Sequence, residues 1–132
     1  MYRIEIGENR YLGDDQPCFI VAELGVNHNG DLRLAKKMVD AAKEVGVDAV
    51  KFQTFTAEEF IPTPSETYTY CSQGKEITES MMAMFKKYEF SEKEWIEIFN
   101  YCKTRNIIYF STPKIHLTLI FYLRSLICRL SK

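Results

Sequence analysis

The sequence predicts an α/β protein built on a parallel sheet, and three observations predict it. Two short apolar runs, within Phe19–Gly30 and Val47–Gln53, carry polar residues at their carboxyl ends. Between them, apolar residues recur at helical spacing, so 18–53 reads as a β-α-β unit with a right-handed crossover. A second helical stretch then leads into a third apolar run, Ile107 to Ser111. Period-two alternation assigns faces. In the first run Val21 and Glu23 share one face, opposite Ile20, Ala22 and Leu24; in the second, Ala49, Lys51 and Gln53 share one, opposite Val50 and Phe52. An acid on one strand and a base plus an amide on the next then project from one end of a parallel sheet. That end is where α/β enzymes place their chemistry. The same pair also reads as a structural ion pair, because buried charges are usually partnered.

Residues 1–17 read as a hairpin or arm, with Tyr2, Ile4 and Ile6 alternating with polar residues and a turn-like Gly13–Pro17. The first core strand is expected over 18–24. The loop after it, 25–30, is rich in Asn and Gly. Its Asn27 and His28 are candidate substrate contacts at the mouth of a site, and His28 reads equally as a side chain bonded within its own loop. Asp31 is placed to cap a helix whose buried stripe is Leu34/Ala35, Met38, Ala41/Ala42 and Val45, stopped by Gly46, with Lys36, Lys37, Lys43 and Glu44 solvated. Residues 54–76 read as irregular and polar, either a substrate lid or ordinary surface loop. A short helix is expected over 77–87, its Met81, Met82, Met84 and Phe85 serving packing rather than binding. Ser91-x-x-Glu94 is a capping box opening a helix that buries Trp95, Ile98, Phe99 and Cys102. Ser111 and Thr112 then stand at the end of the third strand.

The chain has 132 residues and a formal net charge of −1. That suffices for one small domain with a real core, and it gives no electrostatic case for nucleic acid or an anionic membrane. The first residues hold no apolar signal core, so a cytoplasmic protein is expected. Cys18, Cys71, Cys102 and Cys128 show no C-x-x-C spacing and read as reduced thiols.

Three blocks now carry a resemblance: Ile20-Val-Ala-Glu-Leu-Gly-Val-Asn-His-Asn-Gly-Asp31, Ala41-Ala-Lys-Glu-Val-Gly-Val-Asp-Ala-Val-Lys-Phe-Gln-Thr-Phe55 and Phe110-Ser-Thr-Pro113. In that order and spacing they resemble the N-acetylneuraminate (sialic acid) synthase family, in the bacterial branch that includes spore-coat polysaccharide synthesis proteins. The resemblance spans about 17–113 and implies a TIM (β/α)8 barrel. A complete barrel takes about 250 residues, so residues 18–113 are expected to be an incomplete one: the first two β/α units plus the third strand, preceded by the N-terminal hairpin.

The resemblance also implies a reaction. Such synthases condense phosphoenolpyruvate with an N-acetylated amino sugar such as N-acetylmannosamine and release phosphate. Carried over residue by residue, Glu23 resembles the carboxylate at the reaction centre and Lys51 a phosphoenolpyruvate-side cation. Gln53 resembles a substrate hydrogen-bonding group, and Thr112, with Ser111, a phosphoenolpyruvate contact. The family uses a divalent metal, Mn or Mg, through two histidines that lie downstream of this stretch, so no metal is expected on this chain. Homodimers are implied for the parent family, whose C-terminal domain contributes to the partner's site.

The tail departs from the family. After Glu97 there is no acidic residue while six Lys or Arg remain. Read literally, the tail is an amphipathic third helix with Leu119, Leu123, Leu126/Ile127 and Leu130 on one stripe. Re-read in a shifted frame after Pro113, residues 114–132 back-translate to a stretch resembling the family's third helix and fourth strand, so they are expected to be an aberrant, frameshifted tail. The expected product is then an inactive synthase fragment. Two alternatives stand beside it: a related phosphoenolpyruvate-dependent deoxy-sugar acid synthase, and a non-enzymatic interaction or assembly protein.

Overall fold

The computed structural model describes residues 2–7 and 10–114. The chain opens with an antiparallel hairpin, β1 (Arg3–Gly7) and β2 (Arg10–Gly13). The core is a β-α-β unit: β3 (Val21–Gly25), α1 (Leu32–Glu44) and β4 (Ala49–Thr54). A short helix α2 (Ala57–Phe60) follows, then a second antiparallel ribbon, β5 (Thr67–Ser72) and β6 (Lys75–Ser80). Helices α3 (Met81–Tyr88) and α4 (Glu92–Thr104) lead into β7 (Ile108–Pro113).

Strands β3, β4 and β7 form a parallel sheet in that order, with Glu23 paired to Lys51, Lys51 to Phe110 and Gln53 to Thr112. Helices α1 and α4 cover one face. Leu24, Val50 and Phe52 meet Ala35, Val39 and Ala42 of α1 and Trp95, Ile98, Phe99 and Cys102 of α4. Burying each large side chain here stabilises the fold by roughly 1.5–3 kcal/mol. The opposite face carries Glu23 and Thr112, both exposed, and Lys51 and Gln53, both half-buried.

Local chemistry explains the elements. The Asp31 carboxylate accepts from the Arg33 N–H at 2.7 Å and the Leu34 N–H at 3.3 Å, capping α1. The Ser91–Glu94 capping box is formed in both directions. Asp48 ties the amino ends of the strands together. Its carboxylate accepts from the Ile20 N–H at 2.7 Å and pairs with Arg10 at 2.8 Å. Its own N–H donates to the Ile20 carbonyl at 3.0 Å, and its carbonyl accepts from the Ile108 N–H at 3.3 Å.

Several expectations are corrected. The first strand begins at Val21 rather than 18, and the third runs on through Pro113. The buried stripe of α1 is Ala35, Val39 and Ala42; Val45 is 78% exposed because the helix ends at Glu44 and carries it past the sheet. Residues 54–76 are not irregular throughout, for they hold α2 and most of the β5–β6 ribbon, and the helix expected over 77–87 starts only at Met81. Before it, Thr67-Tyr-Thr-Tyr alternates small and aromatic residues, and Gln73 (φ 52°) and Gly74 (φ 76°) make a tight two-residue turn, with Ser72 paired to Lys75. Two successive positive φ angles match the strand twist, which is why such a turn closes a hairpin. Cys18, Cys71 and Cys102 are free thiols; Cys128 and the tail beyond Lys114 lie outside the described residues.

Candidate functional site

Register builds the site. Parallel pairing sets Glu23 opposite Lys51 on the open face, and their side chains form an ion pair. Both are accessible, Lys51 39% and Glu23 48% exposed, so the pair is not a buried structural one. Gln53 follows on the same face, in register with the exposed Thr112. The pairing of β3 shifts between Glu23 and Gly25, and Gly25 adopts φ +54°. A Cβ at Gly25 would lie 3.7 Å from Glu23 Oε1 and 3.8 Å from Gln53 Nε2, so the bare backbone of this bulge floors the space between carboxylate and amide.

The remaining candidates stand elsewhere. Ser111 occupies the helix-covered face, in register with Phe52, and its hydroxyl shares a 2.7 Å hydrogen bond with Thr54 Oγ1. Asn27 is exposed on the loop after β3. His28 is fully buried, its ring stacked on Phe90 at 4.2 Å and edge-on to Trp95 at 6.1 Å. The Gly30 N–H donates to His28 Nδ1 at 3.1 Å, which places the proton of the neutral ring on Nε2. Burial lowers the His28 pKa to about 4, so the ring is neutral at pH 7. It is a core side chain bonded within its loop, not a group at the mouth.

These residues do not fit a catalytic metal. Among the described residues no group of three or more His, Cys, Asp or Glu is placed to hold one. The Glu23 carboxylate is engaged by Lys51, and His28 Nδ1 by its own loop. A cleft of about 500 Å³ does exist beside the end of β4, lined by Thr54, Phe55, Glu58, Glu89, Phe90 and Trp95 among others. Thr54 lies on the helix-covered face, away from Lys51, and two of the cleft's acids are engaged in the fold. Glu58 holds Lys86 at 2.7 Å, and Glu89 accepts from the Ala57 N–H at 2.9 Å.

A family model, NeuB, matches residues 38–132. The chain belongs to the NeuB family. Among its relatives, the N,N'-diacetyllegionaminic acid synthase of Legionella pneumophila is 40% identical over 81% of this chain and 32% of that protein. The crystal structure of N-acetylneuraminic acid (sialic acid) synthetase from Leptospira borgpetersenii, in complex with citrate, superposes with a TM-score of 0.74 at 32% identity, over 91% of this chain and 37% of that one. The spore coat polysaccharide biosynthesis protein SpsE of Bacillus subtilis superposes with a TM-score of 0.66 at 29% identity, over 92% of this chain and 30% of that one. This NeuB chain therefore spans about a third of the length of the relatives it matches. Lys51, Gln53 and Thr112 lie within the stretch that the family model matches, and Glu23 lies before it.

No helix among the described residues is long and apolar enough to cross a membrane. Sequence reasoning placed Glu23, Lys51, Gln53 and Thr112 together, and it missed the floor at Gly25. The positive-φ requirement there was signalled only by a glycine at the end of a strand.

Proposed function

We propose that this chain forms the phosphoenolpyruvate-side portion of a nonulosonic acid synthase. In this reading its core is the first two β/α units and third strand of a (β/α)8 barrel, preceded by the N-terminal hairpin. The single observation that carries it is the Glu23–Lys51 pair, accessible and in register on neighbouring parallel strands, with Gln53 and Thr112 on the same face.

The chemistry suits those groups. In the condensation, carbon 3 of the enol attacks the aldehyde of an N-acetylated amino sugar, water adds at carbon 2, and phosphate leaves by C–O cleavage. Lys51 supplies the cation for the carboxylate or phosphate of phosphoenolpyruvate, held in a fixed direction by Glu23. Glu23 stabilises cationic character at carbon 2 or takes up the proton of the entering water. Gln53 and Thr112 add neutral hydrogen bonds that orient the substrate. Ser111, facing the helices, has no part in it.

The chain alone leaves the site unfinished, so it binds phosphoenolpyruvate without turning it over. Turnover, dimer partner and metal belong to the longer synthase, and the setting is the cytoplasm. Residues 114–132 belong to the same proposal as a shifted-frame product. The family match extends over them, and reading the DNA through the codons after Pro113 decides between a shifted frame and a genuine third helix.

The test is a phosphorus-NMR titration of phosphoenolpyruvate into the chain. We expect saturable binding that Lys51→Ala abolishes. Binding that survives this substitution, or none in the unsubstituted chain, refutes the proposal.

A further inference from the structure

The β5–β6 ribbon has a face that the proposed reaction has not used. Tyr68 and Tyr70 share it by alternation, and across the ladder Glu79 stands opposite Tyr68 and Ile77 opposite Tyr70. The two rings are stacked, centroids 5.9 Å apart and 20° from parallel. Tyr68 remains 49% exposed and Ile77 38%.

The platform is held in place. Tyr70 donates its hydroxyl proton to Glu79 Oε1 at 2.8 Å, and Glu79 Oε2 accepts from Lys87 Nζ at 2.7 Å. Lys87 also locates it. The carbonyl of Lys87 lies so close to Gly30 that a Cβ there would approach it to 2.0 Å. Gly30 belongs to the loop leaving the carboxyl end of β3, so this face is fastened to the rim that follows Glu23. The ribbon's root is fixed as well, by Phe55, Phe60 and Phe85 at centroid distances of 4.8 to 5.8 Å.

We propose, building on the synthase reading, that the stacked Tyr68–Tyr70 pair with Ile77 is the seat for the apolar face of the N-acetylated amino sugar. An aromatic plane has a negative face that attracts the C–H side of a sugar ring, while its hydroxyl serves the polar edge. Ile77 offers an aliphatic contact for the N-acetyl methyl. Lys87, 61% exposed, and Glu79 border the platform with one charge of each sign to meet hydroxyls. Phosphoenolpyruvate is a poor occupant, since it is anionic and has no ring of C–H bonds to lay on a tyrosine. Two rigid aromatic side chains, one pinned by a hydrogen bond, lose little entropy on binding.

The test is saturation transfer from the whole chain to the protons of N-acetylmannosamine, with phosphoenolpyruvate titrated into the same samples. We expect transfer to the N-acetyl methyl and to the ring C–H protons. Tyr68→Ala should weaken binding about tenfold while Tyr68→Phe retains it, as loss of a stacking partner implies. Ile77→Ser should weaken N-acetylmannosamine more than mannosamine. Amide exchange over residues 67–80 confirms that the ribbon persists in each variant. No saturable sugar binding, equal binding by Tyr68→Ala, or an Ile77→Ser effect equal on both sugars overturns the assignment. If the sugar binds through Tyr68 while phosphoenolpyruvate does not bind, the platform stands and the synthase reading falls.

Discussion

Asp48 immediately precedes β4 and Lys51 lies within it, and each holds an ion pair across to another element. The two pairs are opposites in every other respect. Arg10–Asp48 sits at the amino ends of the strands, with side chains 27% and 22% exposed and the Asp48 carboxylate also accepting a backbone N–H. Lys51–Glu23 stands on the open face, its side chains 39% and 48% exposed. A carboxylate that satisfies backbone donors is bound into the fold, and removing it strands them. A pair left accessible gains little stability from the contact and keeps charge available to a ligand. One sheet thus separates a pair bound into the fold from a pair left open to solvent.

The comparison breaks most visibly if the amino-end clamp is dispensable. Asp48→Ala should cost about 2 kcal/mol in a denaturant titration, because it removes the partner of the Ile20 N–H and leaves the Arg10 guanidinium only the Cys18 carbonyl. Phosphoenolpyruvate binding per folded molecule should not change. Gly30→Ala tests whether the carboxyl end also has purely architectural parts. With φ +72° and the Lys87 carbonyl 2.0 Å from any Cβ, it should cost at least about 2 kcal/mol by the same assay.

His28 sharpens the contrast by pH. Its folded pKa of about 4 lies below the ordinary value of 6.5, so between those values the unfolded state holds more protons. The stability of a neutral His28 is complete above about pH 6.5 and is lost as pH falls toward 4. We expect a slope on the order of 1 kcal/mol per pH unit in that window. His28→Phe should flatten it, and an unchanged slope would contradict the burial argument.

The adjacent pair Ser111 and Thr112 gives a finer cut. Ser111→Ala should cost about 1 kcal/mol through its lost bond to Thr54 and leave phosphoenolpyruvate binding intact. Thr112→Ala should do the reverse. Smallest of all, Glu23→Gln should change stability by less than about 1 kcal/mol, while phosphoenolpyruvate binding falls as Lys51 loses its orientation.

Much of this was legible in the sequence where a local rule decides. The capping box and the Trp95, Ile98, Phe99, Cys102 stripe follow from helical periodicity, and the facing of Glu23, Lys51 and Gln53 follows from alternation. The parity of β7 also separates Ser111 from Thr112, although motif likeness had grouped them. What was not legible depends on distant partners. Nothing near His28 in the chain announces that Phe90 and Trp95 will enclose it. The Tyr68–Tyr70 ribbon was hidden for another reason. The Gln73-Gly74 turn between two alternating runs is a hairpin signal, but it sits in a stretch, 54–76, whose polar composition reads as loop.

Asp48 has a consequence in time as well as in space. Its bond to the Ile20 N–H spans 28 residues, a short loop closure within the β-α-β unit. On a ribosome, the register of β3 on β4 can be locked once β4 has emerged, before the tyrosine ribbon, α4 or β7 has been made. A later strand can then add to a template already aligned, so the placement of Glu23 opposite Lys51 does not have to wait for the rest of the sheet.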